Sequence, residues 1–186
     1  EYGKQWYQRR VRGKLNMTVT CYKDVKLVDK PIIDELNKRI HLFEDPLRVL
    51  VFQYDGNTQN VKLIDQNNGT WEDFEKYFTE TQMTYVIWRT FGGDDISKRE
   101  KFIFIHWVGE KVKTITRVTS QAHGASLKDL FGYFHISING RNFTEVNKEI
   151  IHQKLIIAGG VRYDNHEQFD GNLSTIANHI KNEKIE

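Results

Sequence analysis

Two nearly continuous apolar segments, Met83 to Phe91 and Lys101 to Val108, follow one another with only Gly92-Gly-Asp-Asp-Ile-Ser-Lys-Arg-Glu100 between them. Branched and aromatic residues dominate both, which is the composition of strands packed at the centre of a sheet. The linking stretch is long enough to project as a hairpin loop. A pair of strands this apolar needs cover, so the remainder of the chain has to supply further strands and the helices that pack on them.

The flanking sequence reads in that way. Pro31 suits a first helical turn, and Ile32, Ile33, Leu36, Ile40 and Phe43 recur at spacings of three and four, predicting an amphipathic helix ended by Asp45-Pro46. Leu47 to Tyr54 is a strand, Asp55-Gly56 a hairpin turn, and Asn60 to Asp65 the returning strand. Gln66-Asn-Asn-Gly69 turns again, and Thr70-Trp-Glu-Asp73 is a capping box opening a short helix that carries Trp71, Phe74 and Phe78 inward. After Gly109 the sequence is mostly polar, with a helix expected near Ser126 to Phe131 and a strand from Tyr133 to Ile138. Asn139-Gly140 turns, and Phe143 to Ala158 carries Val146, Ile150, Ile151 and Leu155 at helical spacing, with Gly159-Gly160 as its stop. Hairpins mixed with helices predict an α/β fold, a sheet covered by helices, rather than a bundle or a sandwich.

Charge divides the chain into three parts. Residues 1–30 hold eight Lys/Arg against three carboxylates, residues 31–163 hold 17 of each sign, and residues 164–186 hold two Lys against five carboxylates. The expected organisation is a basic extension (1–29) with one strand, Asn16 to Tyr22, then one electrically neutral domain (30–163) and an acidic tail (164–186). The longest apolar run, Phe102 to Val108, is interrupted by His106 and falls far short of the ~20 residues a membrane span needs. With one cysteine, Cys21, and no charged-then-apolar leader, the expectation is a cytoplasmic protein that does not engage membranes.

Catalytic signatures are missing. The sequence has no phosphate-cradling G-x-x-x-x-G-K-[ST] or G-x-G-x-x-G, no H-E-x-x-H and no G-x-S-x-G. Its seven His never pair at i,i+4 and have no second cysteine with which to share a zinc. His106, within a strand, reads as a hydrogen-bonded structural group, and Asp94-Asp95 as turn formers; no metal and no cofactor is expected. The chain is therefore expected to bind rather than catalyse.

Two groups of cations remain. Arg9, Arg10, Arg12 and Lys14, with Trp6 and Tyr7 beside them, could dock onto an acidic partner; nucleic acid is disfavoured because the domain behind them is neutral. Lys98-Arg99-Glu100-Lys101 closes the hairpin loop between the two apolar strands, where a rigid support suits contact with a large acidic protein surface.

Phe91-Gly-Gly-Asp-Asp-Ile-Ser-Lys-Arg-Glu-Lys-Phe-Ile-Phe-Ile-His-Trp-Val-Gly-Glu110 resembles the coactosin and coactosin-like proteins of the ADF/cofilin homology class. Phe52-x-Tyr-Asp-Gly56 and Leu155-x-x-Ala-Gly-Gly-x-x-Tyr-Asp164 extend the resemblance over about residues 29–164. The resemblance implies a central mixed sheet of five or six strands flanked by helices on both faces, and non-catalytic binding along the side of actin filaments in the cytoskeleton. It assigns filament contact to Lys98, Arg99 and Lys101, with Arg117 and Lys128 as support from the helix side. An alternative reading makes the same fold a structural subunit of a larger cytoskeletal assembly, ciliary or axonemal for example, docked through Arg9, Arg10, Arg12 and Lys14 without actin binding.

Overall fold

The computed structural model describes residues 19–92 and 99–159. Arg9, Arg10, Arg12, Lys14, Asp94, Asp95 and Lys98 lie outside the described residues. Seven strands, β1 (Val19–Tyr22), β2 (Val25–Val28), β3 (Val49–Tyr54), β4 (Val61–Asn67), β5 (Met83–Gly92), β6 (Arg99–Val108) and β7 (Ile136–Gly140), form one sheet in the order β1-β2-β4-β3-β5-β6-β7. Four helices, α1 (Lys30–Ile40), α2 (Trp71–Phe74), α3 (Thr114–Phe131) and α4 (Lys148–Gly159), cover it. The sheet is mixed: β2–β4 and β6–β7 pair parallel and the remaining neighbours antiparallel. Seven strands exceed the expected five or six because the β1–β2 hairpin is added at one edge, N-terminal to residue 30.

β5 and β6 are the long central pair, in unbroken register from Met83↔Val108 to Gly92↔Arg99. Their alternate residues feed two separate cores. Tyr85, Ile87 and Phe104 join Ile33, Leu36 and Ile40 of α1 and Leu127 and Phe131 of α3 on one face. Val86, Trp88, Ile103, Ile105 and Trp107 join Trp71, Phe74 and Phe78 around α2 and Val146, Ile151 and Leu155 around α4 on the other. Burial on both faces is why these strands read as continuous apolar runs instead of alternating ones.

The expected capping box is present: the Thr70 amide donates to Asp73 Oδ2 at 2.8 Å, opening α2. Elsewhere the boundaries differ from the expectation. α1 stops at Ile40, so Phe43 lies beyond the helix and is 70% exposed instead of completing its apolar stripe. α4 begins at Lys148, five residues later than the periodicity implied, because Asn142 Oδ1 accepts the amides of Thr144 and Glu145 and Asn147 Oδ1 accepts that of Ile150, which fixes a turn and then a cap. α3 begins at Thr114, twelve residues before the expected start at Ser126.

That last difference has a polar cause. The buried side of α3 carries Ser120, His123, Gly124 and Ser126 along with Leu127 and Phe131, so its inward stripe is only partly apolar. Tyr85 donates to Ser120 O (2.7 Å), Ser120 Oγ donates to Arg117 O (2.8 Å), and Tyr54 Oη lies 2.8 Å from His123 Nδ1. His106 Nε2 lies 3.0 Å from Ser120 Oγ. Since the Ser120 proton is committed to a carbonyl, Nε2 carries the imidazole proton and donates it. Burial first, and Lys128 second, push the His106 pKa down to about 4, so it is a neutral, hydrogen-bonded structural group, as its place in a strand suggested.

Candidate functional site

The hairpin end of the sheet gathers the candidate residues. Strand alternation puts Arg99 and Lys101, opposite Gly92 and Thr90, on the same face as Trp88 and Ile103, the face covered by α2 and α4. Arg99 is exposed and Lys101 half-buried, and among the described residues neither takes part in an ion pair.

Glu100 points to the opposite face, where the structure spends it internally. It accepts from Arg89 at 3.2 Å. Arg89 is 1% exposed and also donates to the carbonyls of Leu42 and Asp45, which fastens the loop after α1 to the sheet. Asp45 in turn accepts from Arg39 Nε (2.8 Å) and from the Leu47 amide (2.9 Å). Burial alone would raise the Asp45 carboxyl, but those hydrogen bonds outweigh it and hold it below the usual carboxylate range. The loop so held presents Leu42 and Phe43 to solvent. Phe43 meets the edge of Phe91 at 6.2 Å, and the Arg48 guanidinium lies 5.0 Å over the Phe91 ring. On the same face His41 stacks on Phe102 at 4.8 Å, and His135 Nδ1 accepts the Phe102 amide at 3.0 Å. The hairpin end thus carries cations on one face of the sheet and the exposed rings of His41 and Phe43 on the other.

The two helix-borne candidates are placed elsewhere. Arg117 Nη2 donates to Val112 O at 3.1 Å and reaches toward Glu110 O, turned back onto the loop that enters α3 at the opposite end of the sheet. Lys128 Nζ sits 5.7 Å over the Phe104 ring and 3.5 Å from Ser137 Oγ, on the face opposite Arg99 and Lys101. Eleven residues of helix separate the two by about 16 Å. The structure therefore brings Arg99 and Lys101 together, sets Lys128 at the same end on the other face, and keeps Arg117 apart.

The helix also bears a feature absent from the sequence expectation. Ile115 and Val118 are 67% and 65% exposed on the outer side of α3. Stepping back from Phe131 and Leu127 by threes and fours reaches Gly124 and Ser120, and that phase leaves Ile115 and Val118 outside. The signal was in the sequence, but only for a helix already known to begin at Thr114. Among the described residues no group of three or more His, Cys, Asp or Glu could hold a metal ion, and no helix is long and apolar enough to cross a membrane.

Comparison with known proteins agrees with this geometry. Mouse drebrin-like protein is 25% identical over 138 residues, 74% of this chain, although the chain spans only 31% of that protein's length. Coactosin of Dictyostelium discoideum is 28% identical over 125 residues, covering 67% of this chain and 82% of the coactosin. The solution structure of mouse coactosin, described as an actin filament binding protein, superposes with a TM-score of 0.58 at 25% identity, covering 76% of this chain and 96% of that one. The profile of the cofilin/tropomyosin-type actin-binding proteins matches residues 28–156, which run from the last residue of β2 into α4. The sheet, its helical cover and more than two thirds of the sequence thus agree on one assignment: the chain belongs to the cofilin/tropomyosin-type actin-binding protein family.

Proposed function

We propose that the chain is a cytoskeletal protein that binds along actin filaments, laying Arg99 and Lys101 against an acidic filament surface. The family is one of non-catalytic binding proteins, so its chemistry is that of an interface. The observation that carries the reading is the placement of Arg99 and Lys101 on the last paired rungs of β5–β6, where the strand register fixes their Cα positions and no carboxylate among the described residues claims them. Arg117 and Lys128 act indirectly, one bracing the loop into α3 and the other covering Phe104. Lys98, outside the described residues, extends the same cationic run in sequence.

Each exposed ion pair contributes only about 0.2–1 kcal/mol, so two cations do not account for stable binding by themselves. The exposed Ile115 and Val118 offer apolar area for a second contact. The reading as a structural subunit of a larger assembly depended on the basic extension (1–29) and the acidic tail (164–186), of which the structure describes residues 19–29 alone, and these add no observation in its favour.

Pelleting of the full chain with purified actin filaments over a salt series tests the proposal. Screening shortens to a Debye length of about 8 Å at physiological salt, so the bound fraction should fall steadily as salt rises. Binding that is absent at low salt, or indifferent to salt, would contradict a contact made by exposed cations.

A further inference from the structure

The end of the sheet that carries Arg99 and Lys101 is also where the chain leaves α4. Val146 packs so closely on Gly140, at the C-terminal end of β7, that a Cβ on that glycine would lie 2.1 Å from Val146 Cγ2. The chain then runs back through α4 until Leu155 lies in the same apolar cluster as Ile136 and Ile103. Gly159, four residues further, advances about 6 Å toward the hairpin end, and Lys101, two residues before Ile103 on β6, lies about 7 Å from it in the same direction. Both are on the same face of the sheet. The exit from α4 therefore lies on the face of the sheet that carries the cations of β6.

The sequence beyond the exit has the opposite charge. Asp164-Asn-His-Glu-Gln-Phe-Asp170 holds three carboxylates and neither Lys nor Arg. Asp164 is five residues past Gly159, so extended backbone places it within about 17 Å of the exit and Asp170 within about 38 Å. We propose that segment 164–170 occupies the Arg99–Lys101 surface when the protein is unbound, so that the chain carries its own acidic competitor for these cations. A tether this short gives an effective concentration in the millimolar range, and a contact half formed in the unbound chain halves the affinity of these cations for any other partner. The effect on filaments rests on the proposed function; the intramolecular contact itself does not.

The test uses the full chain with Asp164→Asn, Glu167→Gln and Asp170→Asn together, beside a control carrying Glu183→Gln and Glu186→Gln. Amide resonances of Arg99 and Lys101 should shift between the wild type and the triple variant and stay in place in the control. Filament affinity should rise roughly two- to fivefold in the triple variant only. Unchanged amides at 99–101 would overturn the proposal, as would an equal rise in the control, which would make the effect one of net charge. If neither protein pelleted with filaments, the function would fail while the amide shifts still decided the contact.

Discussion

Arg89→Met tests whether the hairpin end is held by a buried cation or merely contains one. The native guanidinium is 1% exposed and serves Leu42 O, Asp45 O and Glu100 at once. Methionine has comparable length and suits the surrounding apolar residues, so little packing is lost. Three acceptors are stranded instead, one of them a carboxylate only 20% exposed. Removing one partner of a buried pair costs about 3–5 kcal/mol. The unpartnered Nε of Arg89 indicates that the native arrangement is not fully satisfied, which favours the lower end of that range. At about 2–4 °C per kcal/mol for a domain of this size, the melting temperature should fall by about 6–12 °C. Urea titration of wild type, Arg89→Met and Glu100→Gln separates the contributions. Glu100→Gln keeps an acceptor for Arg89 and should cost less than about 1 kcal/mol. An Arg89→Met protein within 1 kcal/mol of wild type would refute the argument that this arginine organises residues 41–46.

Three further outcomes are expected. Gly109→Ala should destabilise the protein by about 3 kcal/mol in urea titration, because a Cβ there would lie 2.3 Å from the backbone carbonyls of Thr79 and Glu80 and has no flexible neighbour to displace. His106 is pushed down to about 4 in the folded protein from about 6.5 unfolded; the unfolded chain binds that proton more readily, so stability falls as pH drops through this window, by about 2 kcal/mol at pH 5, and His106→Gln should flatten that slope. Ile115→Ser with Val118→Ser should leave stability within about 0.5 kcal/mol, since both side chains are exposed, yet weaken filament pelleting; undiminished pelleting would remove the α3 face from the interface.

What was legible in the sequence follows from how each segment is buried. β5 and β6 are covered on both faces and announce themselves as apolar runs, and α1 is a one-sided helix whose Ile33, Leu36 and Ile40 keep a clean period. α3 was obscured because its buried face is built from Ser120, His123 and Gly124, whose partners Tyr85, His106 and Tyr54 lie on distant strands. Gly124 lets the helix approach the sheet closely, since a Cβ would sit 3.2 Å from Tyr85 Cε1, and no local pattern announces such a contact. Phe43 misled for the reverse reason: it continues the spacing of α1, but the chain tightens after Ile40, the Leu42 amide donating to Arg39 O at 3.0 Å, and Arg89, forty-six residues away in sequence, holds the carbonyls of Leu42 and Asp45.

The candidate site was legible in part for the same reason. Arg99 and Lys101 belong to one strand, and period two alone puts them on one face. Their separation from Arg117, and the turning of Lys128 onto Phe104, are tertiary facts that strand and helix periods do not contain.

The most direct measurement is pelleting of the Arg99→Glu, Lys101→Glu double variant with actin filaments near physiological salt, beside its thermal melt. Two lost pairs and two new repulsions, each about 0.5 kcal/mol, predict binding weaker by roughly tenfold or more, with the melting temperature unchanged because both side chains lie outside the cores. A folded double variant that pellets as wild type does would contradict the assignment of this strand as the filament contact.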